Sequence, residues 1–203
     1  ATFDAYWWKY SKAYYYIDKI ICPSYFLKRK LDTQKRFFEK TTVLHNFIEP
    51  QKTAKVEKEN YVLEFGHLSR DKGTLTLLEV AKRMPNVRFV FAGYGEAVED
   101  IKQISNAEYV GFQTGEALKQ LIQKAKCSVY PSECYENCPF SVIESQMYLT
   151  PVIGSRMGRI PELVRGGETG LLFEAGNADD LEGKIRYLLE TPGVLENYTD
   201  NCR

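Results

Sequence analysis

The chain has 203 residues, 44% hydrophobic and 27% charged, with 27 lysines and arginines against 27 aspartates and glutamates. That composition is ordinary for a soluble globular protein of one full domain and part of another, and its zero net charge excludes a chain-wide nucleic-acid footprint. No apolar run approaches the roughly 18 residues of a membrane span. Five cysteines, odd in number and without framework spacing, suit free thiols in a reducing cytoplasm. Cys134 and Cys138 form a single CxxxC with no second Cys/His pair beside it, so no metal site is expected. The opening ATFDAYWW carries neither an initiator methionine nor a basic n-region before an apolar stretch, and the chain reads as an excised piece.

In chain order, the aromatic stretch 3–22 reads as a helix running into a short strand, DKIICPS. YFLKRKLDTQKRFFEK, 25–40, follows as a basic helix carrying a net charge of +4, which fits either a solvated face or contact with an anionic membrane surface. After TTVLHNFIEP and the charged linker QKTAKVEKEN, a regular alternation begins. Strands are predicted over 61–66, 87–93, 107–112, 127–132, 151–155 and 169–174, and helices over 74–84, 96–104, 115–125, 140–148, 160–164 and 179–190. Continuous apolar strands separated by helices mean an α/β fold, a doubly wound parallel sheet of about six strands covered on both faces. Ligands in such sheets bind beyond the carboxyl ends of the strands, so the loops after each strand are the places to look for chemistry.

The first of these loops, GHLSRDKG (66–73), sets Arg70 and Lys72 beside a helix N-terminus, where exposed N–H groups already favour an anion. A polar turn explains the same residues. The second, AGYGEAV, opens like a dinucleotide fingerprint but has Val98 where the third glycine belongs, which argues against nicotinamide or flavin. The third, in PSECYENCPFSVIESQ, carries Glu136 before a helix and Glu144 inside it, with Pro139 suited to the helix start and Asn137, Cys138 and Phe140 offering backbone groups at the terminus. An ionised carboxylate accepts two hydroxyls at once, so this pair suits two polyols on either side of a phosphate. A loop charge and a surface helix residue account for the two positions equally well. The fourth, 154–174, is rich in glycine, as close ligand approach or tight turns require.

Taken in order, GHLSRDKG, PSECYENCPFSVIESQ, PVIGS, IPELVRGGETGLLF and the NADDL helix resemble the family 4 glycosyltransferases, retaining enzymes of GT-B architecture. The resemblance implies a nucleotide-sugar donor domain over 51–203. Residues 1–50 would be the end of an N-terminal acceptor domain and the crossing between the two. It implies Lys72 on the donor diphosphate with Arg70 beside it, Glu136 on hydroxyls of the transferred sugar and Glu144 on the ribose. Backbone N–H groups of Asn137, Cys138 and Phe140, with Pro139 at the helix start, would complete the anion site, and Gly111 and Phe112 would lie near the base. It further implies metal-independent transfer with no cofactor, from a nucleoside diphosphate sugar to a glycan or lipid-linked acceptor. The location would be cytoplasmic, at the inner face of the cell membrane if the basic segment touches lipid. Three positions depart from the family pattern. His67 stands in place of the diphosphate arginine next to Gly66, Phe47 in place of a small glycine, and Arg159 in place of the glycine after Gly158, where it reads as a surface arginine or as a reader of a charged donor sugar. A nucleotide-sugar epimerase of the same architecture and a silent donor-like subunit remain as alternatives.

Overall fold

The computed structural model describes residues 7, 16–35, 37–51 and 53–202. They divide into two compact units, Ala1–Phe47 and Ile48–Arg203. The helix expected at the start of the aromatic stretch falls outside the described residues, Trp7 and the segment from Tyr16 onward apart. Among the described residues, no helix is long and apolar enough to cross a membrane.

The first unit contains a short βαβ arrangement. Strand β1 (Ile20–Cys22) leads through Ser24, whose hydroxyl accepts from the Leu27 N–H at 3.0 Å, into helix α1 (Tyr25–Asp32). The chain returns as β2 (Thr41–Val43), parallel to β1. The basic helix expected over 25–40 therefore stops after two turns. Asp32 turns inward to Lys28 and to the Thr41 hydroxyl, and Glu39 takes a positive φ of 65°, which a helix does not allow. Lys28 is thus held within the unit, while Arg29 and Lys30 are exposed.

The second unit is built on a six-stranded parallel sheet among the described residues. Its strands are β3 (Tyr61–His67), β4 (Arg88–Tyr94), β5 (Ala107–Tyr109), β6 (Cys127–Tyr130), β7 (Val152–Ser155) and β8 (Gly170–Phe173). They lie side by side in the order β5-β4-β3-β6-β7-β8, every pair parallel. The helices between them are α2 (Thr74–Arg83), α3 (Val98–Ile101), α4 (Gly115–Lys124), α5 (Phe140–Met147) and α6 (Ile160–Leu163), followed by α7 (Ala178–Glu190) and α8 (Val194–Asn201). Successive residues of β3 serve opposite faces. Val62 joins Phe89, Phe91, Leu77 and Leu181 in one cluster, whereas Leu63 and Phe65 join Val90 and Ile122 in another. Full burial of a Leu or Phe side chain contributes about 1.5–3 kcal/mol, so β3 and β4, buried on both faces, anchor the unit.

In this unit β5 and α3 fall furthest short of their sequence pattern. Strand β5 ends at Tyr109 because Gly111 turns with a φ of 75°. Helix α3 keeps four residues of the expected nine. The Asn106 amide reaches the carbonyls of Ala81, Met84 and Val87, each at 2.9 Å, and draws the chain into β5 before a further turn can form. The charged linker is fastened to the unit by Lys58, which donates to Gln123 O, Leu149 O and the Thr150 hydroxyl at 2.8–2.9 Å. Burial lowers the pKa of that ammonium to about 8.

Candidate active site

From β3 the chain builds outward to β5, then crosses back to start β6 on the other side of β3. At this reversal the loops leaving β3 and β6 diverge, and a crevice opens beyond their carboxyl ends. The two loops are pinned to each other across it. Gly73, with a φ of 76°, caps α2, and a Cβ placed on it would fall 2.0 Å from the Pro131 carbonyl oxygen. The Glu133 N–H donates to Asp71 O at 2.9 Å, and the Thr76 hydroxyl donates to Glu133 Oε1 at 2.5 Å.

Lys72 and Glu136 meet in this crevice, one from each loop. Nζ donates to Oε1 at 2.6 Å, and the Ser132 hydroxyl donates to the same oxygen at 2.9 Å. Lys72 also reaches Cys134 Sγ at 3.6 Å. Partial burial works against the ammonium, but the hydrogen bond and charge of Glu136 outweigh it and hold the Lys72 pKa above its ordinary value. Burial, reinforced by the Glu136 carboxylate, pushes the Tyr130 phenol well above the usual range and keeps it a neutral donor. Glu136 is itself buried, and its backbone is clamped from below. Gly158 approaches so closely that a Cβ there would lie 2.4 Å from Glu136 N, and the Arg159 N–H donates to Glu136 O at 2.9 Å. Arg159 is 3% exposed, with Nη1 3.0 Å from Cys138 Sγ, which overturns its reading as a surface arginine. All five cysteines carry free thiols.

Two cavities share Phe65, Gly66 and Ser141 in their walls, and Lys72 lines the smaller. The larger, about 440 Å³, lies against Phe112, Gln113 and Leu118 and has Glu144 at its edge. Burial raises the pKa of that carboxyl. The smaller, about 70 Å³, is lined by His67, Lys72 and Tyr130. Pro139 caps the eight-residue helix α5 between them, placing Asn137, Cys138 and Phe140 around the N–H groups of its first turn. A cation, a helix start and two carboxylates therefore surround one crevice, with room for a flat apolar group at the Phe112 end. That layout suits an anion flanked by hydroxyl-bearing groups.

The family model for glycosyl transferases group 1 matches residues 46–203. The chain belongs to that family. Two curated relatives give the scale of the similarity. The sulfoquinovosyl transferase SQD2 of Arabidopsis thaliana is 31% identical over 134 residues, covering 63% of this chain and 26% of the relative. An uncharacterised glycosyltransferase of Methanocaldococcus jannaschii is 26% identical over 190 residues, covering 91% of this chain and 53% of the relative. The chain thus spans about a quarter of the first and about half of the second. Among solved structures, Anabaena HepE in complex with UDP-glucose superposes with a TM-score of 0.73 at 21% identity, over 91% of this chain and 57% of that one. The six-stranded unit has the Rossmann-like fold of one half of a GT-B glycosyltransferase.

In this group 1 chain the structure brings Lys72, Glu136, Glu144, Gly66, His67 and Phe112 to one crevice. Arg70 is exposed beside it, with its N–H donating to Glu96 Oε1 at 3.3 Å. Gly111 sits at the turn before Phe112, with open space where a side chain would be. His67 packs edge-on against Tyr94, and Tyr94 against Phe112, at centroid distances of 5.2 and 5.7 Å, so aromatic rings cross the ends of β3, β4 and β5. One residue of the site escaped the sequence reading. Glu64, fully buried in β3, donates no charge to the surface and accepts from the Thr74 hydroxyl at 2.8 Å. A lone acid within the apolar run YVLEFG is the signal that points to it.

Proposed function

We propose that the chain is the donor-binding half of a retaining glycosyltransferase that moves a sugar from a nucleoside diphosphate sugar to a glycan or lipid-linked acceptor. The observation that carries this reading is the Lys72–Glu136 pair at the switch point of the sheet, with Lys72 lining a small cavity whose walls at Phe65, Gly66 and Ser141 are shared with a larger one that Glu144 lines. The UDP-glucose named with Anabaena HepE supports a donor of this class. The diphosphate sits at Lys72, His67 and the start of α5, the ribose on Glu144, the base toward Phe112 and the transferred sugar on Glu136. Negative charge grows on the leaving phosphate as the glycosidic bond breaks. Lys72, with Arg70 and His67, and the α5 N–H groups stabilise it without a metal or a further cofactor. Glu136 orients sugar hydroxyls. The acceptor is held by the part of the protein that this chain does not span.

Saturation-transfer NMR against UDP-, GDP-, ADP- and CMP-sugars tests the assignment. One nucleotide sugar binds, and Lys72→Ala and Glu144→Ala each abolish the signal. Absence of binding to a folded chain, or binding indifferent to both substitutions, removes it. The exposed Arg29 and Lys30 on α1 fit contact with an anionic membrane surface and hence a place at its cytoplasmic face. Cosedimentation with anionic vesicles that survives neutralisation of both residues excludes that contact.

A further inference from the structure

Glu64 lies inside the sheet, next to the donor loops rather than on their surface. It is 3% exposed and in register with Phe91 of β4. Its Oε1 accepts from the Thr74 hydroxyl, and its Oε2 has no hydrogen-bond partner among the described residues. Thr74 is itself fully buried and is the first residue of α2, two positions beyond Lys72, with only Gly73 between them. Glu64 also borders the small cavity that Lys72, His67 and Tyr130 line. A carboxyl this deep with one bond made is tolerable when neutral, whereas a carboxylate there would leave a full charge with an unsatisfied oxygen. It would also set a negative charge under the site proposed for the diphosphate.

We propose that Glu64 is a positioning residue of the donor site: it holds the first turn of α2 through Thr74, and with it the Lys72 loop, and its ionisation weakens nucleoside diphosphate binding by setting a negative charge beneath the anion. The inference rests on the donor reading above and gives that site a proton requirement. Burial pushes the Glu64 carboxyl up to about 8, against the lowering effect of the Thr74 bond, which puts the transition within reach of ordinary buffers. The other titratable groups around the cavity are His67 and Lys72 on the β3 side, and Tyr130, Cys134 and Glu136 on the β6 side, with Asp71 turned to Ser69 in the Lys72 loop. Lys72 is held above its ordinary value and Tyr130 well above its own, so neither changes charge between pH 7 and 9. The terminal phosphate of a nucleoside diphosphate, with a second pKa of about 6, is already about nine-tenths ionised at pH 7 and changes little over the same range.

The test has a ligand-free arm and a binding arm, each on the chain and on Glu64→Gln, whose amide keeps an oxygen for Thr74. In the first, the backbone amide shifts of Gly73 and Thr74 are followed by NMR from pH 6 to 9.5. They titrate with a midpoint near 8 in the native chain and stay flat in Glu64→Gln. In the second, affinities for UDP, GDP and ADP are measured at pH 7 and 9. Binding of whichever nucleotide is accepted weakens about ten-fold in the native chain and less than two-fold in Glu64→Gln, as proton linkage to one group requires. Amide shifts that titrate alike in both proteins, or in neither, overturn the proposal. So does an affinity that is flat with pH, or that falls equally in both. If the shifts behave as stated but no nucleotide binds at pH 7, the donor reading falls and the positioning role falls with it.

Discussion

Replacing Gly73 by alanine puts the central geometric claim under direct load. Two costs add. An L-residue in the left-handed conformation at a φ of 76° costs about 1–2 kcal/mol. The new methyl would also lie 2.0 Å from the oxygen and 2.7 Å from the carbon of the Pro131 carbonyl, rigid backbone that can be relieved only by moving one loop, at about 1–3 kcal/mol more. The sum is about 2–5 kcal/mol, or a fall of roughly 10 °C in midpoint for a chain of this size. Gly115 supplies the control: its φ of 56° is equally left-handed, but nothing lies within 4 Å of a Cβ built there, so Gly115→Ala carries the first cost alone. Urea unfolding followed by circular dichroism compares the two, and donor binding is measured on the same samples. Gly73→Ala unfolds earlier than Gly115→Ala and loses nucleotide affinity, because displacement of either loop separates Lys72 from Glu136. Equal stability of the two variants, with binding intact in both, would show that the β3 and β6 loops do not meet at Pro131, and the crevice as drawn would be wrong.

Breaking the Lys72–Glu136 pair from one side leaves a charge stranded in a crevice where the two side chains are 27% and 11% exposed. Lys72→Met is expected to cost on the order of 1–3 kcal/mol, below the figure for a fully buried pair because solvent still reaches the ammonium. Glu136→Gln alone behaves similarly, and the double variant loses less than the sum; strict additivity in urea unfolding would deny the contact. Glu144→Gln acts in the opposite sense on the free chain. Burial raises the Glu144 pKa in the folded state, so the stability it allows is fully present below the unfolded value and is lost as pH rises through the folded one. The glutamine variant is therefore more stable than the native chain at pH 7 and no different at pH 4, while nucleotide binding weakens on the proposed donor assignment; a variant less stable at pH 7 refutes the assignment of cause.

The parallel sheet was readable because its strands are buried on both faces, and FVFA in β4 or VIG in β7 leaves no alternation to misread. Two elements outside that regime passed unread. Strand β2 is three residues, two of them threonine, whose pairing with β1 depends on the intervening helix stopping early. Helix α8 begins after a left-handed Gly193 in a sequence, VLENYTDN, with few apolar positions, and takes its order from packing beside α7. The site divides along the same line. That Lys72 and Glu136 each follow a strand is local and visible; that they touch is not, because it depends on β6 crossing back beside β3 instead of continuing past β5. Arg159 shows the converse error, since a cation in a glycine-rich loop reads as exposed until the fold folds that loop under Glu136.

A lysine already paired with a carboxylate is a poor receptor for an anion only if its donors are exhausted, and hydrogen-bond capacity resolves the point. An ammonium has three donors, of which Lys72 gives one to Glu136 and one to Cys134 Sγ. A carboxylate has about four acceptor sites, and Oε1 alone takes both Lys72 and Ser132. The pair can stay intact while the third donor of Lys72 turns to a phosphate oxygen and the remaining lone pairs of Glu136 receive sugar hydroxyls. Each partner then fixes the other before the donor arrives. The entropy of ordering a long lysine side chain is spent on folding and not on binding, which is the condition for a preorganised electrostatic site. Were the pair merely a resting-state lock to be opened by substrate, Glu136→Gln would free Lys72 and tighten nucleoside diphosphate binding. On the shared-pair account the same substitution weakens it, because the lysine loses the partner that holds it in place.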